Sequence, residues 1–130
     1  MARERDILTL YQAVREDKNH ELLIDLVRRG RLRPETRNRE GVNALLLAVD
    51  EEFPTEVIGF LLAEGFSADS ADEEGRTPLH YSVDLGNNEI MQFLVSNGAD
   101  PRFKDKTGSA PIDEVQPTDE AYAILARETL

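Results

Sequence analysis

The chain has 130 residues, 40% of them hydrophobic and 6% aromatic, with a net charge of −11 and no cysteine. That is the length of one ordinary domain with enough aliphatic carbon for a continuous core, and the lack of cysteine excludes disulfides and thiolate zinc sites. Residues 1–40 hold ten Lys and Arg against eight Asp and Glu, a net of +2, while the rest holds five against eighteen, a net of −13; such asymmetry suits a dipolar surface that steers a charged partner.

The opening residues, Met1 to Asp6, carry charges at once. No apolar run is long enough for a signal peptide or a membrane span, so a cytoplasmic chain is expected, with the nucleus as the other option. Ile7, Leu8, Leu10, Tyr11 and Val14 predict a first amphipathic helix, and Leu22, Leu23, Leu26 and Val27 a second that ends at Gly30. Six arginines then fall within twelve residues: Arg28, Arg29, Arg31, Arg33, Arg37 and Arg39. They could pair with phosphates, but Glu35 and Glu40 interrupt the run and no aromatic is interleaved for base stacking. Carboxylates on a protein, or plain solvation, suit them better.

Gly41-Val42-Asn43-Ala44-Leu45-Leu46 opens a further helical unit, with Val57, Leu61 and Leu62 on its second helix and Gly65 at its end. Glu51-Glu52-Phe53-Pro54 carries one extra residue between the two helices. The best-formed unit comes next. Thr77 can cap a helix and Pro78 is tolerated in its first turn; Gly86-Asn87-Asn88 breaks the run, and Ile90, Met91, Phe93, Leu94 and Val95 form a second helix ending at Asn97-Gly98. Gly98 is placed for the left-handed conformation that closes a helix. Gly108-Ser109-Ala110-Pro111-Ile112 starts a last unit, cut at Gln116-Pro117, before a final helix with Tyr122, Ile124 and Leu125.

Gly41, Gly75 and Gly108 are 34 and 33 residues apart, and Gly30, Gly65 and Gly98 are 35 and 33 apart. Two interleaved series with one period near 33 point to a stacked helical array. With Thr77-Pro78-Leu79-His80 and Gly98-Ala99-Asp100-Pro101 as its most diagnostic stretches, the chain resembles the ankyrin repeat family. The resemblance implies an all-α solenoid of stacked helix-turn-helix units with short β-hairpin fingers. Its expected units are an N-terminal cap over 1–37, repeats over 38–71 and 72–104, and a C-terminal cap over 105–130. It also implies that Thr77 and His80 hydrogen-bond to each other and to neighbouring backbone. Leu46 stands where the preceding unit would carry that histidine, so one tie between units should be missing.

No catalytic constellation emerges. His80 lies inside the repeat signature, His20 is expected to be exposed at a helix junction, and no G-x-S-x-G, P-loop or H-E-x-x-H pattern occurs. Asp69, Asp72, Glu73 and Glu74 before Gly75 invite a calcium-loop test. With Gly75 as the loop glycine, Ser70 falls at the first ligand and Tyr81 at the bidentate position. The loop fails, and no metal, cofactor or enzymatic activity is expected.

Binding residues follow from the resemblance, which places finger tips and first helices on one concave face. The fingers contribute Arg39, Glu40, Glu73, Glu74, Arg76 and Lys106, and the helices Leu47, Glu51, Tyr81, Asp84 and Leu85. Leu47, Tyr81 and Leu85 amid carboxylates read as a contact patch, with Tyr81 as its anchor. The expected function is non-catalytic binding, as adaptor or inhibitor, of a partner protein with a basic patch around an apolar spot. Nucleic acid and membrane are not expected as partners, and the isolated chain should be a monomer. The alternative is head-to-tail self-assembly driven by the basic and acidic ends.

Overall fold

The computed structural model describes residues 4–126, so residues 1–3 and the end of the expected C-terminal cap, 127–130, lie outside the described residues. Seven α-helices occur in this span: α1 (Glu4–Glu16), α2 (His20–Arg28), α3 (Ala44–Asp50), α4 (Thr55–Ala63), α5 (Pro78–Leu85), α6 (Asn88–Ser96) and α7 (Glu120–Ala126). A 3-10 turn at Pro111–Glu114 takes the place of a helix in the last unit. They pair as antiparallel hairpins, α1 with α2, α3 with α4 and α5 with α6. The pairs then stack through α3 on α5, α2 on α4 and α4 on α6, with α7 closing on α6.

Four helices, α2, α3, α5 and α6, begin where a side chain replaces a missing intrahelical partner, while α4 starts after Pro54 with no side-chain cap. Asn19, Asn43 and Asn87 accept from the backbone N–H of Leu22, Leu46 and Ile90. Thr77 caps α5 in a reciprocal box with His80, whose ring accepts from the Thr77 N–H. Gly98 has φ +91 and closes α6, with its own N–H and that of Ala99 returning to Val95 and Leu94 carbonyls. In the extra-residue turn of the preceding unit, Glu52 takes φ +54 where Gly86 has φ +67.

Between the hairpins the chain forms three fingers of one design. Asn38, Asp72 and Asp105 each accept two backbone N–H bonds through Oδ1, from Glu40 and Val42, from Glu74 and Arg76, and from Thr107 and Ser109. Neighbouring fingers exchange a single backbone bond, Glu73 N–H to the Glu40 carbonyl and Lys106 N–H to the Glu74 carbonyl. The expected β-hairpin fingers are therefore turns stitched edge to edge, and no strand is assigned among the described residues.

Gly41 explains one of the glycine series. A Cβ there would meet the Glu73 backbone nitrogen at 2.6 Å, whereas at Gly108, with no finger beyond it, nothing lies within 4 Å.

One continuous core runs through the stack, from Ile7, Tyr11 and Val14 to Ile124 and Leu125. In α3 every residue from Ala44 to Val49 is buried, because this helix has neighbours on both sides. His80 is fully buried. Thr77 N–H donates to its Nδ1 at 3.0 Å, which puts the ring proton on Nε2, and Nε2 donates to the Ser109 carbonyl at 2.8 Å. Leu46 is aliphatic and makes no such bond, so that tie to the next unit is missing, and the polar bond its unit has instead lies within the unit. The buried Asn43 amide donates to Ser70 Oγ at 3.0 Å across 27 residues.

Candidate functional site

Fingers one and two and the helices α1 and α5 enclose a cleft of about 730 Å³. Its floor is apolar, built by Tyr11, Val42 and Tyr81, and Leu8 stands at its edge with 61% of its surface exposed. Glu40, Glu73 and Glu74 rim it from the finger tips, and all three are exposed. The helical stripe of Ile7, Tyr11 and Val14 faces the core, so Leu8, one residue round the helix from Ile7, is turned outward. A large apolar group is thus left in water beside an apolar floor rimmed by carboxylates, with Arg15 also in the lining.

Tyr81 is placed in the cleft but its hydroxyl is engaged, donating to Asp72 Oδ2 at 2.8 Å. Asp72 thus holds the second finger through one oxygen and α5 through the other. Burial, then the bond to Asp72, pushes the Tyr81 phenol well above the usual tyrosine range. Tyr11 makes the matching brace in the first unit, donating to the Val42 carbonyl at 2.9 Å, and its phenol is likewise pushed up by burial.

The remaining residues expected on this face are distributed differently. Leu47 needs correction: it is fully buried, because α3 lies between other helices and has no apolar side to spare for solvent. Glu51 faces inward enough to accept from Arg15 at 2.6 Å, and Arg15 also takes Asp50 at 2.8 Å. Arg76 is not a finger-tip contact group but the centre of an ion-pair network, with Asp84 at 2.7 Å, Asp105 at 2.8 Å and Glu114 at 3.0 Å. Bonds to Glu114 and Asp84 push its guanidinium above its already high range. Bonds from Thr107 and from the Ser109 and Thr107 backbone, with Arg76 beyond them, hold the Asp105 carboxyl well below the usual range. Arg39 and Lys106 are exposed on fingers one and three, and Leu85 is 39% exposed at the end of α5. None of these last three lines the cleft.

Sequence reasoning missed the contribution of α1, where Leu8, Gln12 and Glu16 share the cleft with the fingers. The signal was available in the offset of Leu8 from the Ile7, Tyr11 and Val14 stripe. It also placed His20 in solvent, whereas the ring is half-buried with its edge toward Phe53, centroids 5.7 Å apart.

His80, Asp105 and Glu114 bring potential metal-ligand atoms within 4.8 Å of one another. Both histidine nitrogens are already bonded within the protein, and Arg76 sits on the two carboxylates. A cation would have to displace an arginine there, so the donor set does not fit a metal. Among the described residues no helix is long and apolar enough to cross a membrane.

Comparison with known proteins places this geometry in context. A family model described as ankyrin repeats, in three copies, matches residues 10–105. An ankyrin repeat protein of Acanthamoeba polyphaga mimivirus is 37% identical over 57 residues, 44% of this chain and 8% of that protein. A palmitoyltransferase of Saccharomyces cerevisiae is 31% identical over 109 residues, 84% of this chain and 14% of the enzyme. The RelA-associated inhibitor of Mus musculus is 33% identical over 97 residues, 72% of this chain and 11% of that protein. The chain spans only a small part of each of these relatives.

Proposed function

The chain belongs to the ankyrin repeat family, and on that premise we propose that it binds a partner protein, without catalysis, in the cleft between α1 and the first two fingers. The observation that carries this reading is Leu8, 61% exposed at the mouth of an apolar floor that Glu40, Glu73 and Glu74 rim. The partner segment presents an apolar side chain to Leu8 and Tyr81, with Lys or Arg on either side for the finger carboxylates. Asp84 and Glu51 contribute less than their charge suggests, since Arg76 and Arg15 already neutralise them. Arg39, Lys106 and Leu85 flank the contact.

Binding of this kind serves an adaptor or an inhibitor, and the inhibitor among the relatives supports the second role. The setting proposed is the cytoplasm or nucleus.

Affinity capture with wild type beside Leu8→Asp tests the reading. Leu8 is exposed, so this change leaves the core intact and places a charge in the cleft. A protein retained by wild type and lost by Leu8→Asp supports the cleft; retention by both would move the site elsewhere.

A further inference from the structure

The structure sorts five of the six clustered arginines into separate groups. Arg28 lies over the Phe60 ring at 5.2 Å and Arg29 pairs with Asp25 at 2.9 Å. Arg31, Arg33 and Arg37 instead line a second cavity of about 640 Å³, between the start of α1 and the loop that leads to the first finger. It lies apart from the partner cleft and shares no residue with it.

In a chain of net charge −11, none of these three guanidiniums is paired with a carboxylate among the described residues. Arg37 donates to two backbone carbonyls, of Gly41 at 2.7 Å and Ala71 at 2.9 Å. Arg33 reaches only the Gly30 carbonyl at 3.5 Å, a weak contact. Arg31 is exposed and makes no side-chain bond among the described residues. By contrast, Arg15 pairs with two carboxylates and Arg76 with three. Arg31 and Arg33 therefore bring to this cavity guanidinium donors that no carboxylate among the described residues takes up, although Asp6 and Glu35 stand in the same lining.

We propose that this end cavity binds an acidic protein segment, with two carboxylates (glutamate, aspartate or a chain terminus) taken by Arg31 and Arg33. Arg37 would supply field rather than a new bond, since its donors already brace the two fingers. Ile7 offers an apolar wall to a side chain between the two carboxylates. Asp6 and Glu35 also line the cavity, and they tell against a continuous polyanion. A nucleic-acid backbone would meet both of them, finds no aromatic in the lining for its bases, and faces the acidic remainder of the surface. Isolated carboxylates can sit between the arginines and avoid them. This site is independent of the partner cleft, and either can fail without the other.

The test is a titration of 15N-labelled protein with the peptide acetyl-Glu-Glu-Leu-Glu-Glu-amide, followed by amide chemical shifts at low and high salt. Saturable shifts confined to Ile7 and residues 30–37, weakening as salt rises, are expected. Arg31→Gln with Arg33→Gln should weaken binding by about tenfold or more, with an unchanged thermal midpoint because Arg37 and its clamps are retained. Lysine at both positions should give an intermediate affinity, since it keeps charge and loses the fork. No saturable shifts, an unchanged affinity in the glutamine variant, or shifts centred on the fingers would overturn the proposal. Tighter binding of a single-stranded oligonucleotide at residues 30–37 would overturn the choice of an acidic peptide.

Discussion

His80 shows how a residue with catalytic chemistry can be spent on structure. It is fully buried, it caps its own helix through Nδ1, and it reaches 29 residues onward to Ser109 through Nε2. His80→Ala should lower stability by about 1–3 kcal/mol by leaving buried groups unpaired, read as a shift in the denaturation midpoint at constant slope. Tyr11 and Tyr81 carry a pH signature. In the unfolded chain both ionise near 10, and burial holds the folded phenols above that. The folded state keeps these protons more tightly, so the stability they lend is complete below pH 10 and is lost as pH rises beyond it. Denaturation series between pH 8 and about 11 should show that loss, and Tyr81→Phe should reduce it. At this scale the sequence was only partly readable. Leu8 and Leu47 are both leucines on helices facing the finger side, and composition cannot say that one is exposed and the other enclosed. The charges of Glu51 and Arg76 were plain, but their neutralisation depends on Arg15, Asp105 and Glu114, 29 to 38 residues away.

At the scale of elements, the fingers account for most of the periodic signal. Gly41 and Gly75 are repeated because one finger's backbone passes against the next: a Cβ would meet Glu73 nitrogen at 2.6 Å in the first case and Lys106 nitrogen at 3.0 Å in the second. Gly108 keeps the left-handed backbone with open space around it. Gly41→Ala should therefore cost about 2–4 kcal/mol, from strained φ plus a backbone collision, and Gly108→Ala about 1 kcal/mol, from φ alone. Equal losses in thermal or urea denaturation would mean that finger contact is not what the first glycine serves. The helices and their ends were legible because cap and breaker residues act locally. The Asn38, Asp72 and Asp105 series was not, although it shares the same period. Its members are one amide and two carboxylates, which share no side-chain charge, while their function is the turn-closing oxygen they have in common.

On the scale of the whole molecule, the stacking order and single core follow from the period, as the sequence implied. The proposed cleft did not, because it is made where α1 meets fingers that belong to later units of the chain. Head-to-tail assembly would require the basic end of one copy to meet the acidic remainder of another. The isolated chain should elute as a monomer by size exclusion at low and high salt alike; a larger species that dissociates as screening rises would favour assembly.

Association kinetics with a captured partner decide whether the cleft is the contact site. Glu73→Lys with Glu74→Lys should slow association and flatten its dependence on salt, while Leu8→Asp should speed dissociation, at a cost of about 2 kcal/mol if the cleft holds a hot spot. Wild-type rates in both variants would remove the cleft as the site.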